Sequence, residues 1–443
     1  MEMISSKVDE HVLEAALQKQ LSVETLKILS VKIDFLSEKG SNFLSDLYKV
    51  TVKYTDASKN EEKSKSEHST DVIIKLEPKE EIPLELVQQQ DLFPVESKVL
   101  RNVLPMIRDL VGHLIGPSLL HCLDHPRVLI MENLHKKKFL MKDRQKGLSF
   151  QHCRLVMQIL AKFHAGSVAV HERNPELIES FEDGGIVSKK CPEAFLRLME
   201  VSLLRIGHQV KNWSDEKCVQ AAAKIIKMAE LIRTQCIEVY DHDSDEFCVL
   251  NHGDCWINNI MFKENERGEP VDLRLVDYQM AVYTSPAIDL LYFLNICPEL
   301  SVKYDHDDYF IGVYLNTLKE TMERIGCKTK PPTLEQLKKA IHKRRAYAVF
   351  SGMVLYLRMM ANKEDTEDFT TVLKLYSGET KMDVFKNPDS VKLALKMIPI
   401  MNEKVDQRPC PAVQRELLAE LSQQMNFRKE PPNVRIRRSA GSN

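Results

Sequence analysis

The sequence predicts an α+β protein in which strands occur mainly in the first third of the chain and helices dominate the rest. Short runs with the alternating or continuous apolar pattern of strands lie at 47–54, 72–76 and 128–134. Apolar side chains recur with helical spacing over three later stretches, 149–165, 170–245 and 305–425. Hydrophobic residues make up 43% of the chain and charged residues 28%, which is ordinary for a globular protein.

Length and composition exclude several classes of protein. The 443 residues could form two or three compact units, and a formal net charge of -2 argues against binding nucleic acid through bulk electrostatics. No apolar run reaches the roughly 18 residues of a membrane span, and the first residues lack the apolar core of a signal peptide. The ten cysteines include no Cys-x-x-Cys pair, so we expect reduced thiols and a cytoplasmic location. We expect a monomer that binds neither membrane nor nucleic acid, although no pattern determines the oligomeric state.

The ends of the chain carry little chemistry. Residues 9–37 have apolar spacing suited to helix with a break near Ser22, so we assign 1–37 to an N-terminal helical extension. Residues 55–69 are rich in Lys, Glu and Ser and are predicted to form a mobile loop between strands. Residues 427–443 are predicted to be a disordered tail.

The most informative stretch runs from 249 to 294. An apolar strand at 247–250 ends in His252-Gly253-Asp254, where glycine allows a sharp turn, and Asn259 follows five residues after Asp254. Ile260–Phe262 and Leu273–Val276 are predicted to pair as a hairpin, because Gly268 and Pro270 mark a turn between them. Such a hairpin would bring Asp277 back beside Asp254 and Asn259.

These three side chains suit phosphoryl transfer. An aspartate such as Asp254 can accept the proton of an attacking hydroxyl, while an asparagine and a second aspartate, here Asn259 and Asp277, can hold Mg²⁺ on a triphosphate. The tripeptide His-Gly-Asp alone would more often be an ordinary turn. The amide, the hairpin and the second carboxylate together favour the catalytic interpretation.

The motif His-Gly-Asp-x-Trp-x-Asn-Asn-Ile-Met-Phe, followed by Val-Asp-Tyr-Gln and Ser-Pro-Ala-Ile-Asp-Leu-Leu-Tyr, resembles the ecdysteroid-kinase-like (CHK kinase-like) family. That family lies within the superfamily of aminoglycoside phosphotransferases and choline kinases. The resemblance implies a two-lobed protein-kinase-like fold, with a small antiparallel-sheet N-lobe at 38–131 and a large, mainly helical C-lobe at 132–426. It also implies ATP and Mg²⁺ as cofactors.

In the N-lobe, the resemblance implies several nucleotide-binding residues. Lys75, in an apolar strand, would pair with the α- and β-phosphates, and Glu96 on the next helix would pair with Lys75, with Glu85 as an alternative. Backbone groups between Glu132 and Leu134 would bind adenine at the connection between the lobes. The polar loop before the second strand would fold over the phosphates, through Gly40, Ser41, Asn42 and Ser45.

Other polar residues of this region are expected to be structural. In the related kinases the acid corresponding to Asp289 braces the catalytic loop through backbone N–H groups. We expect His164 to be a satisfied core histidine and Cys255 to be structural, although it follows Asp254 directly.

The expected activity is transfer of the γ-phosphoryl group of ATP to a hydroxyl of a small molecule, such as an ecdysteroid, or a xenobiotic or plant phenolic undergoing detoxification. Asp277 is followed by Tyr278-Gln279, with no later Ala-Pro-Glu, so no activation segment of the protein-kinase kind is visible and a small acceptor is favoured. A choline- or ethanolamine-type kinase is one alternative. The other is a non-catalytic protein that keeps the fold and binds a small ligand.

Overall fold

The N-terminal lobe is built on one antiparallel sheet. The computed structural model describes residues 8–36, 44–56, 67–361 and 383–406. Five strands form this sheet: β1 (Leu26–Phe35), β2 (Asp46–Asp56), β3 (His68–Leu76), β4 (Leu119–Asp124) and β5 (Arg127–Glu132). They lie in the order β1-β2-β3-β5-β4, and each neighbouring pair is antiparallel. Strand β3 is therefore central, and its register sets Lys75 between Leu47 on β2 and Leu129 on β5.

The N-terminal extension is helical only in its first half. Helix α1 (Glu10–Leu21) begins at Asp9, whose side chain accepts from the Val12 N–H, and ends at Ser22, which is left-handed with φ 55°. The break at Ser22 is as predicted, but the helix expected beyond it is wrong, because β1 occupies that stretch.

A β-bulge explains this error. The pairing of β1 with β2 shifts register between Ile28 and Ser30. The apolar alternation of the strand therefore changes phase, from Leu26 and Ile28 to Val31 and Ile33, and the broken alternation resembles helical spacing.

Three helices lie between the third and fourth strands: α2 (Glu81–Gln89), α3 (Leu92–Lys98) and α4 (Leu104–Val111). A π-helical turn, Val99–Val103, joins α3 to α4 without a break. Glu96 on α3 is buried, whereas Glu85 on α2 is exposed.

The C-terminal lobe is mainly helical. Its helices are α5 (Phe150–Arg173), α6 (Pro175–Glu179), α7 (Glu193–Val210), α8 (Glu216–Glu238), α9 (Ala287–Ile296), α10 (Asp307–Ile325), α11 (Leu334–Lys343), α12 (Arg345–Val349), α13 (Leu357–Met360) and α14 (Pro388–Asp406). Its short strands are β6 (Leu140–Met141), β7 (Val249–Asn251), β8 (Ile260–Glu264), β9 (Pro270–Leu275) and β10 (Val282–Thr284). Helix α5 packs along α10 and also contacts β7 and β9, so the two small sheets lie against the helical core. The α+β class is confirmed, with an antiparallel sheet in the N-terminal lobe and a mainly helical C-terminal lobe.

Several expectations concern residues outside the described ranges. These are Gly40, Ser41 and Asn42 of the phosphate loop, most of the loop at 55–69, and the tail at 427–443. All cysteines in the described ranges are free thiols. Of the helices in those ranges, none combines the length and the apolar character needed to cross a bilayer.

Candidate active site

The loop that carries Asp254 begins where β7 ends. Gly253 adopts φ 82°, and a Cβ at this position would lie 1.8 Å from the carbonyl oxygen of Met280. Only glycine allows the loop to pass so close to the chain around Met280. The turn expected in the sequence is therefore a close approach between two segments of the site.

The hairpin of β8 and β9 brings the predicted residues together. Ile260 pairs with Leu275, and the Val276 N–H donates to the Asn259 carbonyl at 2.9 Å, which sets Asp277 beside the loop. The Asn259 side chain donates to Asp254 Oδ2 at 2.8 Å and to the Asp254 carbonyl at 2.9 Å. The chain thus assembles Asp254, Asn259 and Asp277 at one place, as the sequence predicted.

Asp254 is half-buried, and both of its carboxylate oxygens accept hydrogen bonds. Burial raises its pKa to about 7; hydrogen bonds from Tyr292 and Asn259 oppose the rise, and the negative charge of Asp277 adds to it. The Tyr292 hydroxyl donates to Oδ1 at 2.7 Å. A carboxylate with a pKa near neutrality is suited to accepting a proton in catalysis.

The lysine of the N-lobe reaches this site. Lys75 Nζ lies 2.5 Å from Glu96 Oε2 and 2.6 Å from Asp277 Oδ1. Glu96, rather than the exposed Glu85, is therefore the partner of Lys75. Burial disfavours the charge of Lys75, but the carboxylates of Asp277 and Glu96 outweigh this effect and raise the pKa of the ammonium group. Lys75 is a charged group held where a nucleotide phosphate could bind.

Asp277 has an uncommon backbone conformation for a residue with a side chain. Its φ is 68°, in the left-handed region, and it precedes the short helical turn Tyr278–Met280. Non-glycine residues held in this region cost energy and are concentrated at functional sites. The conformation turns the chain directly after β9, and in it Asp277 faces Lys75.

Asp289 supports the loop as expected. Its Oδ2 accepts from the His252 N–H at 2.6 Å and its Oδ1 from the Gly253 N–H at 2.9 Å. His164 is fully buried between Asp289 and the Tyr314 hydroxyl, at 3.1 Å and 2.8 Å. Both structural roles are confirmed.

Cys255 is also buried in the core rather than directed to the site. Its side chain is fully buried, and burial raises the pKa of its thiol. A thiol held neutral in this way is not a nucleophile. Its structural role is confirmed.

Glu132 and Leu134, which were predicted to lie at the adenine site between the lobes, differ in their hydrogen bonds. The Glu132 carboxylate accepts from the Ser118 N–H at 2.8 Å and pairs with Lys137, while the Glu132 N–H donates to the Ser118 carbonyl at 3.1 Å. The side chain of Glu132 therefore braces the connection. The Leu134 N–H donates to no residue in the described ranges.

Ser45 is the described member of the expected phosphate loop. It is buried, with 5% of its surface exposed, and lies directly before β2. Two residues later, Leu47 pairs with Lys75. Ser45 therefore lies at the end of the sheet nearest to the lysine.

The oxygens of Asn259 and Asp277 fit Mg²⁺. The Asn259 amide nitrogen is directed at Asp254, so its Oδ1 points the opposite way, and no described residue donates to it. Among the described residues, Asp277 Oδ2 has only a long contact, 3.5 Å to Gln279 Nε2. Within the described part of the chain, no three His, Cys, Asp or Glu side chains converge as a metal cage. A site with one carboxylate and one amide oxygen suits a Mg²⁺ that is also held by phosphate and water.

Sequence reasoning missed Tyr292 as a partner of Asp254. Its position three residues after Asp289 in a helix was the available signal, because residues three apart lie on the same face. Both side chains reach the loop from that face of α9.

Comparisons with known proteins identify a family whose model matches much of the chain. The model of a family described as ecdysteroid kinase-like matches residues 39–327, more than half of the chain. Among solved structures, the streptomycin-ATP-APH(2")-IIa ternary complex is similar at 14% sequence identity and a TM-score of 0.31, covering 77% of this chain and 91% of that one. A search of curated proteins finds no match.

Proposed function

We propose, since the chain belongs to the ecdysteroid kinase-like family, that it transfers the γ-phosphoryl group of ATP to a hydroxyl group of a small organic molecule. Family membership supports a small-molecule kinase. The observation that carries the finer proposal is the joining of two groups of residues. Lys75 and Glu96 come from one lobe, Asp254 and Asn259 from the other, and Asp277 contacts Lys75 while lying beside Asn259.

The phosphates of ATP would bind between Lys75 and the loop that contains Ser45. Lys75 already has two carboxylate partners, so its ammonium is fixed before a nucleotide arrives. The loop residues Gly40, Ser41 and Asn42 would contribute backbone N–H groups to the same phosphates. Adenine would bind at Glu132–Leu134, and the N–H of Leu134, which donates to none of the described residues, supports this placement.

Asn259 and Asp277 would hold Mg²⁺ through Asn259 Oδ1 and Asp277 Oδ2. When bound, the metal neutralises charge on the phosphates. The role of these two residues is to direct oxygens toward the nucleotide. The side-chain nitrogen of Asn259 at the same time fixes Asp254.

Asp254 would accept the proton of the acceptor. The hydroxyl oxygen forms a bond to the γ-phosphorus, the bond from that phosphorus to the bridging oxygen breaks, and ADP leaves. The proton moves to the Asp254 carboxylate, whose raised pKa favours acceptance. Positioning and charge neutralisation, rather than covalent catalysis, would supply most of the acceleration.

For the acceptor, we propose an ecdysteroid, or a xenobiotic or plant phenolic with a free hydroxyl. The description of the matched family supports the first. The test is ADP release from Mg²⁺ and ATP with an ecdysteroid, a plant phenolic and choline as separate acceptors. Turnover of choline alone would favour the choline-kinase alternative. No turnover and no Mg²⁺-dependent binding of ATP would favour a non-catalytic binding protein.

Site variants test the assigned roles. Asp254→Ala should keep ATP binding, measured by thermal shift, and lose turnover by roughly 10²-fold or more. Asn259→Ala should weaken the Mg²⁺-dependent shift. Asn258→Ala serves as the matched control, because the half-buried side chain of this neighbouring asparagine has no hydrogen bond to any described residue. Equal losses in both asparagine variants would contradict the metal assignment.

A further inference from the structure

Asp254 is held from two directions. Asn259 Nδ2 donates to Oδ2 at 2.8 Å, and the Tyr292 hydroxyl donates to Oδ1 at 2.7 Å. The first contact comes from the proposed metal ligand. The second comes from a residue to which the proposed chemistry gives no part.

We infer that Tyr292 is a positioning residue, which fixes the Asp254 carboxylate in the orientation needed to receive the acceptor hydroxyl. This inference rests on the proposed function, because it assigns Asp254 the role of base. It adds Tyr292 to the residues on which the rate of transfer depends.

Helix α9 holds both the backbone and the side chain of the loop. Asp289 accepts the His252 and Gly253 N–H groups, and Tyr292 lies three residues later, on the same face of the helix. The helix thus fixes where the loop lies and how the Asp254 side chain is turned. A shift of the helix would move both together.

The tyrosine is itself rigid. Only 1% of its surface is exposed, and its ring lies 6.0 Å from the ring of Tyr347, centroid to centroid. A buried tyrosine has few side-chain rotamers, so packing restricts the position of its hydroxyl. The free rotation of a carboxylate about Cβ–Cγ is stopped when both oxygens are bonded.

These hydrogen bonds leave room for the acceptor. Each carboxylate oxygen has two lone-pair directions, so a bond from Tyr292 or Asn259 still leaves a position for the incoming hydroxyl. Holding a reacting group in the correct geometry is a large part of catalysis when little covalent chemistry is done by the protein.

The test compares Tyr292→Phe with Tyr347→Phe. Both remove one hydroxyl from the same buried aromatic cluster, but the Tyr347 hydroxyl contacts Tyr240, at 3.5 Å, and not Asp254. Turnover is measured as ADP release with the acceptor that gives the wild-type protein its highest rate. If no added acceptor is used, hydrolysis of ATP by water is measured instead. We expect Tyr292→Phe to lower kcat roughly tenfold while KM for ATP stays within about twofold, and Tyr347→Phe to leave both unchanged.

Two kinetic results would overturn the inference. One is a Tyr292→Phe variant with the kcat of the wild type. The other is an equal fall in kcat for both variants, since the hydroxyls would then act through packing. A thermal unfolding curve for each variant separates loss of folded protein from loss of rate.

If the wild-type protein transfers phosphate to no acceptor, the proposed function is refuted. A crystal structure of Tyr292→Phe then still tests whether Tyr292 orients the Asp254 carboxylate. A displaced or rotated Asp254 carboxylate would support the role of Tyr292 in orienting it. An unchanged carboxylate would overturn that role.

Discussion

Replacing Lys75 by Met should destabilise the protein much more than replacing Glu96 by Gln, although the two residues form one ion pair. Lys75 has a second carboxylate partner, Asp277 at 2.6 Å, so it remains compensated when Glu96 becomes neutral. Glu96 is only 2% exposed, and its charge would be left buried without a cation in Lys75→Met.

The magnitudes follow from these contacts. Coulomb's law with an effective dielectric constant of about 20 gives about 7 kcal/mol for the 2.5 Å contact between Lys75 and Glu96, before the cost of desolvating both ions. Breaking such a buried pair by removing one partner typically costs about 3–5 kcal/mol, which we expect for Lys75→Met. For Glu96→Gln we expect about 1–2 kcal/mol, the net value of one hydrogen bond to a charged group.

The double variant provides the decisive measurement. It leaves no uncompensated charge at position 96, and Asp277, whose side chain is 22% exposed, can be hydrated. The double variant should therefore be more stable than Lys75→Met alone. The free energy of unfolding is measured in urea by the fluorescence of Trp213 and Trp256, without nucleotide or magnesium. Strictly additive losses would refute the reasoning, because they would show that the two side chains do not interact.

Three further predictions concern stability. Asp289→Ala should lower the free energy of unfolding by about 3–5 kcal/mol, because it leaves two buried N–H groups without an acceptor. Asp289→Asn keeps one oxygen and should cost less. Equal losses in urea unfolding would contradict this explanation. Tyr278→Phe should stabilise the protein by about 1 kcal/mol, because the buried Tyr278 hydroxyl has no partner among the described residues; a clear loss of stability would show that a partner exists. Burial lowers the pKa of Lys303 from 10.5 to about 8. Between these two pH values the unfolded chain binds more protons than the folded chain, so the contribution of Lys303 to stability rises with pH. The free energy of unfolding of the wild type, relative to Lys303→Met, should therefore increase by up to about 3 kcal/mol between about pH 7 and about pH 10, and a constant difference would contradict it.

The site was predictable where its residues are close in sequence. Asp254, Asn259 and Asp277 lie within one loop and one hairpin, and the turn residues Gly253 and Gly268 indicate both. A short hairpin has few possible geometries, so the register could be anticipated from apolar runs alone. Lys75 was predicted only through the family resemblance, because a lysine in an apolar strand would most often point to solvent.

Residues that reach the site from helices were harder to predict than those of the loop and the hairpin. The choice between Glu96 and Glu85 depended on which helix faces β3, and periodicity within a short helix does not determine this. The structure places Glu96 on the buried face of α3 and Glu85 on the exposed face of α2. The error at β1 has a related cause, because one bulge at Leu29 was enough to give a strand the apolar spacing of a helix.

Asp277 links the parts of the site that come from the two lobes, and its backbone is left-handed at this position. In the C-terminal lobe, Asn259 and Tyr292 donate hydrogen bonds to the Asp254 carboxylate, and Asp289 accepts from the Gly253 N–H of the same loop. Lys75 and Glu96 form their pair in the N-terminal lobe, and Lys75 reaches that part of the site through Asp277. The left-handed conformation turns this side chain from the end of β9 toward the other lobe. Because its Oδ1 bonds Lys75 and its Oδ2 remains available to a metal, one carboxylate couples the position of the N-lobe lysine to the metal–nucleotide site.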